Sequence, residues 1–133
     1  MKKIVFVSLA LIALVVVSCN KDQKAVKELE GTWEISKQDG QTVADSNKFT
    51  IKFEACKLKK DEWCSYTQTS NDGYSYSSDY KVIDDGTTLV QSVTDSTKGN
   101  IELSSTIDEL TDSKLKLTLN FGGFLTTSEF DKK

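Results

Sequence analysis

Histidine and proline are absent from the 133 residues, and each absence narrows what the chain can be. Without histidine there is no Ser-His or Cys-His nucleophile pair, no imidazole base and no imidazole ligand for zinc or haem. Proline removes a hydrogen-bond donor from a strand, so its absence suits a fold made of sheet ladders. Apart from carboxylate pairs that only the fold could create, no catalytic constellation remains. We therefore expect a protein that is not an enzyme and needs no cofactor.

Basic residues are fewer than acidic residues. Lys and Arg together number 17 against 20 Asp and Glu, which gives a net charge of -3. Because no basic patch is available to neutralise phosphates, we expect no nucleic-acid binding. The acidic pairs Asp84-Asp85 and Asp108-Glu109 lack the full oxygen-ligand pattern of a calcium loop. We interpret them as solvated turn residues and expect no metal site.

The one long apolar run lies at the N-terminus, directly after Lys2 and Lys3. It covers roughly 14 residues, fewer than the ~20 of a transmembrane helix. It ends in Val16-Val17-Ser18-Cys19, which resembles the bacterial lipobox, so we expect residues 1 to 18 to be a lipoprotein signal peptide. The resemblance implies cleavage before Cys19 and attachment of two or three acyl chains such as palmitate, enough for a stable membrane anchor. In Gram-negative lipoproteins, Asp directly after the lipidated cysteine favours retention in the inner membrane. This chain has Asn20 at that position, which favours the outer membrane. The domain can lie on either face of that membrane.

Removing residues 1 to 18 from the 133 leaves 115 residues, which suffice for one domain and are too few for two. We expect residues 19 to 24 to be the lipidated cysteine and a flexible polar tether, and residues 25 to 133 to be the folded domain. Ala25, Val26 and Leu29 have the spacing of about one helical turn at the start of that domain.

Two cysteines, Cys56 and Cys64, remain after Cys19 is lipidated. An even pair in an oxidising compartment indicates a disulfide. The polar residues 57 to 62 between them separate two strand-like runs, so the two cysteines can face each other across a hairpin. A redox-active pair is the alternative, but the spacing is not Cys-x-x-Cys.

Apolar and polar residues alternate with period two in eight stretches, which turn residues interrupt about every ten positions. The stretches are residues 32 to 37, 49 to 55, 63 to 69, 74 to 82, 87 to 94, 101 to 107, 114 to 121 and 124 to 130. The fifth stretch is ambiguous, because Leu89 and Val93 lie on one face and Val90 on the other. Short turns between successive strands predict an all-β fold, an eight-stranded antiparallel up-and-down barrel with a short N-terminal helical turn. A sandwich is the alternative, but it needs longer crossing connections and leaves edges exposed.

The segment Leu29-Glu30-Gly31-Thr32-Trp33 resembles the opening of a lipocalin. The resemblance implies that Trp33 closes the bottom of the barrel and that Gly31 permits a close approach there. The chain is more similar still to short lipocalin-like lipoproteins of Bacteroidota, through the lipobox, Tyr80-Lys81-Val82, Asp85-Gly86-Thr87-Thr88-Leu89 and Ile107-Asp108-Glu109-Leu110-Thr111. It departs from larger lipocalins in having no C-terminal helix and only about ten residues, 39 to 48, between the first two strands, where others carry a long lid.

Aromatic and hydroxyl side chains share positions that the alternation places inside the barrel. The candidate ligand-binding residues are Tyr74, Tyr76, Ser78, Tyr80, Ser105, Thr126 and Ser128. Rings with polar tips suit a small hydrophobic or amphipathic ligand, because buried hydroxyls need partners. The alternative is that these tyrosines reach the mouth, wet their hydroxyls and only pack.

Two functions are compatible with this sequence. The first is a membrane-anchored binding protein that captures a small ligand without catalysis. The second is a protein-interaction module with a filled barrel, which would use its loops and Trp63, since tryptophan is enriched in interface hot spots. Trp63 packed against the disulfide is the simpler alternative. Interior volume separates the two functions: if the apolar inward residues, Phe124 and Phe130 among them, fill the barrel, only the second survives.

Overall fold

The computed structural model describes residues 20 to 56 and 63 to 133. The expected signal peptide, Cys19 and residues 57 to 62 lie outside the described residues. The described chain begins with one α-helix, α1 (Lys21–Leu29), and a 3-10 turn at Asp45–Asn47 precedes the third strand. The nine strands are β1 (Gly31–Gln38), β2 (Gln41–Thr42), β3 (Phe49–Phe53), β4 (Cys64–Ser70), β5 (Ser75–Ile83), β6 (Thr88–Asp95), β7 (Gly99–Leu110), β8 (Lys114–Phe121) and β9 (Phe124–Lys132).

Eight of the strands form a closed antiparallel barrel. From β3 onward each strand pairs with the next along the chain, β1 pairs with β3, and β9 pairs back with β1 to complete the ring. The two-residue β2 turns back from β1 and pairs only with its last residues, with Lys37 opposite Thr42. The predicted all-β, eight-stranded barrel is therefore confirmed, and the sandwich is wrong. Each barrel strand has a partner on both sides, so residues 31 to 132 complete the sheet by themselves.

The helix starts earlier than the sequence predicts. Residues 21 to 24, expected to be a flexible tether, form the first turn of α1, and the Asn20 side chain caps it by accepting a hydrogen bond from the Asp22 amide at 2.9 Å. Asparagine is a preferred N-cap and an acidic residue suits the first turn, so this start was visible in the sequence. A nine-residue helix is marginal alone and depends on docking. Here Ala25 and Leu29 are buried in the barrel core.

One end of the barrel, which we call the closed end, carries α1 together with the turns at residues 84 to 87 and 111 to 113. There Trp33 is fully buried, and its indole N–H donates to the Leu29 carbonyl oxygen at 2.8 Å. Gly31 has φ of 124°, and a Cβ added to it would lie 2.8 Å from Lys132 Cε. The close neighbour of Gly31 is thus the Lys132 side chain, and Trp33 is buried beside it at the closed end.

Aromatic side chains fill the half of the interior next to the closed end. Phe53 and Tyr80 meet edge to face with ring centroids 4.8 Å apart, and Tyr66 packs against both. Leu89 opposes Val82 and Ser105 and so shares the inner face, which resolves the ambiguity of β6. Val90 belongs to the outer face yet is only 3% exposed, and this is why alternation alone could not orient the strand.

Cys56 and Cys64 lie at disulfide-bonding distance, with Cα atoms 5.6 Å apart. Cys64 is the first residue of β4 and is buried, directly opposite Tyr80 of β5. The predicted pairing of the two cysteines is therefore supported, and it ties the segment after β3 to the start of β4. No helix among the described residues is long and apolar enough to cross a bilayer.

Candidate ligand-binding site

The other end of the barrel, which we call the open end, contains a cavity of about 140 Å³ between the strands. Its lining comes from the inner faces of six strands. The residues are Phe49, Ile51, Gln68, Gln91, Ser105, Leu117, Leu119, Thr126, Ser128 and Phe130. The cavity exists because the inner positions of β4, β6, β7 and β9 hold hydroxyl and amide side chains here, whereas aromatic rings fill the same faces nearer the closed end.

The lining is half apolar and half polar, and none of its ten side chains carries a charge. The polar half consists of two amides, Gln68 and Gln91, and three hydroxyls. Amides and hydroxyls both donate and accept hydrogen bonds, so they can pair with many neutral polar groups. No arginine occurs anywhere in the sequence, so the bidentate clamp that proteins use on carboxylates and phosphates is missing.

Two tyrosines lie beside the cavity amides, and one of them is hydrogen-bonded to Gln68. Tyr76 donates its hydroxyl hydrogen to Gln68 Oε1 at 3.1 Å. Tyr66 donates to the Ser92 carbonyl oxygen at 3.0 Å, and its hydroxyl is also within reach of the Gln91 side chain. Burial is the main cause that raises the pKa of Tyr66, so this phenol stays neutral and remains a donor. The bond from Tyr76 holds the Gln68 amide in place facing the cavity.

The three cavity hydroxyls, by contrast, form no hydrogen bond with any other residue in the described part of the chain. They belong to Ser105, Thr126 and Ser128, and all three were predicted as candidate binding residues. Ser105 is the one buried polar side chain of the described core, at 6% exposure. Among the described residues the one fully buried side-chain oxygen without a partner is that of Tyr80, so the three cavity hydroxyls are open to solvent. A ligand that enters the cavity must therefore hydrogen-bond to them in place of water.

The remaining candidates do not line this cavity. Tyr74 precedes β5 in a turn, is 67% exposed and donates its amide to Asp72 Oδ1 at 3.1 Å, so its expected inward position is wrong. Tyr76 stands at the rim, 36% exposed. Ser78 opposes Tyr66 below the cavity. Tyr80 lies deepest, fully buried in the aromatic core. These four candidates therefore lie at different depths along the barrel wall and do not form a single ligand-binding surface.

Sequence reasoning missed Gln68 and Gln91. The signal was present, because Gln68 follows Cys64 and Tyr66 at period two on β4, and Gln91 follows Leu89 on β6. Uncharged polar residues at inward positions mark the place where a barrel interior stops being core. The opposite error concerns Phe124, which was expected inside but is 81% exposed at the tip of the β8–β9 hairpin.

Comparisons of the chain with protein-family models, with curated proteins and with solved structures find no match. Its function must therefore be inferred from the geometry of the barrel.

Two other features singled out in the sequence lie away from the cavity. Trp63 is 38% exposed near the closed end, and Lys81 Nζ lies 4.4 Å from the centre of its ring. The Asp84-Asp85 pair lies in a turn as predicted, and there the Asp84 carbonyl oxygen accepts a hydrogen bond from Thr87 Oγ1. The Asp108-Glu109 pair was expected in a turn but lies within β7, where an Asp108 carboxylate oxygen accepts a hydrogen bond from Thr118 Oγ1 of the neighbouring strand. Over residues 20 to 56 and 63 to 133, no group of three or more metal-ligating side chains is close enough together to hold an ion.

Proposed function

We propose that this protein captures a small amphipathic ligand in the open half of its barrel, without chemical change to the ligand. The observation that carries the proposal is the division of the interior. Aromatic core fills the closed half, and the open half keeps a cavity of about 140 Å³ with three hydroxyls that lack partners among the described residues. A barrel that served only as a rigid scaffold would be expected to fill both halves.

The size of the cavity limits what can enter it. An engineered apolar cavity of about 150 Å³ is known to bind benzene, so a cavity of similar volume holds a group of about that size. Whole drug-sized ligands occupy roughly 300 to 1,000 Å³. The cavity thus accepts a group of about six heavy atoms, the size of benzene, or one end of a longer molecule. Capture would be an equilibrium, with affinity from apolar contact and from hydrogen bonds to the hydroxyls.

Blocking the cavity tests this proposal. The variant Ser105→Leu places an apolar side chain into the cavity at a buried inner position, and Ser104→Leu adds the same side chain at the exposed neighbouring position on the outer face. We expect cyclohexanol to produce saturable NMR shifts at the amides of Ser105, Leu117 and Thr126 in the unmodified domain and in Ser104→Leu. In Ser105→Leu these shifts should disappear. Identical titrations of all three proteins, or none in the unmodified domain, would contradict capture in this cavity.

A second candidate function is protein interaction. It is favoured by the exposed apolar side chains outside the cavity, namely Trp63, Phe121, Phe124 and Leu125. These fall in two groups, because Trp63 lies near the closed end and the other three lie at the open end. Absence of any ligand in the cavity would make this the leading function.

The place of action is proposed from the N-terminal residues. We propose a lipoprotein of the cell envelope, lipid-anchored through Cys19 in the outer membrane, of the lipocalin-like lipoprotein type found in Bacteroidota. The lipobox-like end of the apolar run and Asn20 after the cysteine support this proposal.

A further inference from the structure

The β8–β9 hairpin carries an exposed apolar tip at the open end. Phe121 and Phe124 flank the Gly122-Gly123 turn and are 60% and 81% exposed. Residues 117 to 128 contain no charged side chain, which makes them the longest uncharged run after residue 20 in a chain that is 28% charged. Large exposed apolar side chains grouped on one projection usually mark a site of interaction.

The register connects this tip to the cavity. Along the hairpin, Leu117 opposes Ser128, Leu119 opposes Thr126, and Phe121 opposes Phe124. The first two pairs line the cavity. Because side chains alternate between the two faces of a strand, the pair two residues further on lies on the same face. Phe121 and Phe124, which we call the apolar ledge, therefore continue the cavity wall beyond the mouth. Leu125, opposite Asn120, belongs to the outer face of the same hairpin.

We infer that the ligand is an uncharged amphiphile longer than the cavity, whose hydrogen-bonding group lies among the cavity hydroxyls and whose apolar chain lies along the ledge. This inference rests on the proposed function and names its ligand class. The uncharged lining leaves a carboxylate or an ammonium group without a counter-ion, and an unpaired charge is costly to bury. A neutral alcohol, amide or ester meets no such penalty. The small volume then forces the rest of a longer molecule out over Phe121 and Phe124.

Three probes separate the parts of this inference: 1-octanol, sodium octanoate at pH 8 and 1-propanol. Each is titrated into the unmodified domain, residues 20 to 133, and followed by NMR shifts of the cavity amides. We expect 1-octanol to bind at least about tenfold more tightly than octanoate. We also expect it to bind at least about tenfold more tightly than 1-propanol, because each buried methylene contributes up to roughly fourfold in affinity.

The ledge is tested by the double variant Phe121→Ser/Phe124→Ser, whose positions are exposed and outside the core. It should lower the affinity for 1-octanol about tenfold and leave that for 1-propanol unchanged. Leu125→Ser, which removes an equally exposed apolar side chain from the other face, is the matched control and should change neither. Octanoate binding as tightly as octanol overturns the neutral class, and equal losses in both variants overturn the ledge. If no alcohol shifts the cavity amides, the proposed function itself fails.

Discussion

Tyr80 shows how a single residue can be well placed for packing and poorly placed for hydrogen bonding. Its ring is fully buried and meets Phe53 edge to face. Its hydroxyl is also buried and has no hydrogen-bond partner in the described part of the protein. Burial, followed by the charges of Glu30 and Glu54, raises the pKa of this phenol from 10.0 to about 12. Unlike the Tyr66 hydroxyl, which has a carbonyl partner, this one adds nothing to stability.

The variant Tyr80→Phe should therefore be at least as stable as the parent at pH 7, with a gain of up to about 1 kcal/mol in the free energy of unfolding. Its advantage should grow at alkaline pH. The unfolded phenol ionises near pH 10.0 and the folded one near 12, so the parent is destabilised progressively as the pH rises between these values. Phenylalanine has no hydroxyl to ionise, so Tyr80→Phe removes the part of this alkaline destabilisation that Tyr80 causes. Urea unfolding at pH 7, 10 and 11.5 measures both effects.

Tyr66→Phe is the matched control for this prediction, because it removes the same atom from a hydroxyl that does have a partner. The Ser92 carbonyl oxygen loses its donor, and we expect a loss of about 1 kcal/mol at pH 7. If Tyr80→Phe lost as much stability as Tyr66→Phe, the Tyr80 hydroxyl would have to make a hydrogen bond after all.

At the scale of elements, the strands and the presence of an N-terminal helix were predictable from the sequence, whereas the helix start was placed too late and the cavity was not predicted. Period-two alternation marks a strand wherever one face is buried, and every one of the eight predicted stretches became a barrel strand. The alternation fails at Val90, because the outer face of β6 is also buried there. It fails at Phe124 because the strand continues beyond the end of the core. The cavity could not be predicted, because its volume depends on which inner residues of neighbouring strands meet. Register decides that, and one sequence does not reveal it.

Besides its buried apolar side chains, α1 is joined to the β5–β6 turn by one hydrogen bond. The Gly86 amide donates to Asp22 Oδ1 at 2.6 Å, and a Cβ on Gly86 would lie 2.9 Å from the Lys21 carbonyl oxygen. Asp22→Ala removes this bond together with a negative charge in the first turn of the helix, and should lower the free energy of unfolding by about 1 to 2 kcal/mol. Urea unfolding, followed by far-ultraviolet circular dichroism, measures the loss.

Glu28→Ala is the control for this second prediction. It also removes an acidic side chain from α1, but that side chain is exposed and its ion pair with Lys24 spans 3.8 Å. Exposed pairs of this kind contribute little, so we expect a loss below about 0.5 kcal/mol. Equal losses in the two variants would mean that total charge on the helix matters and the contact with Gly86 does not.

For the molecule as a whole, the important feature is that its two ends differ. The closed end holds the helix, the buried tryptophan and the disulfide, whereas the open end holds the cavity mouth and the apolar ledge. Asn20 alone separates Cys19 from the start of α1. If Cys19 carries the lipid, almost no flexible chain lies between the lipid and the closed end. The mouth then faces away from the anchoring leaflet, by roughly 20 Å for strands of eight residues with ordinary rise and tilt.

This orientation is the prediction that joins the proposed anchor to the proposed site. Full-length protein matured in a bacterial membrane is reconstituted into phosphatidylcholine vesicles that contain a headgroup-attached nitroxide quencher. One fluorophore is placed either at the closed end, through Asp112→Cys, or at the open end, through Ser96→Cys, both exposed turn positions. We expect quenching at residue 112 and little at residue 96, and a Cys19→Ala chain should lack palmitate and stay off the vesicles. Stronger quenching at residue 96 would mean that the mouth and its ledge rest on the bilayer. The ligand would then enter directly from the membrane that holds the protein, whereas a mouth turned away must take it from the surrounding fluid or from a second surface.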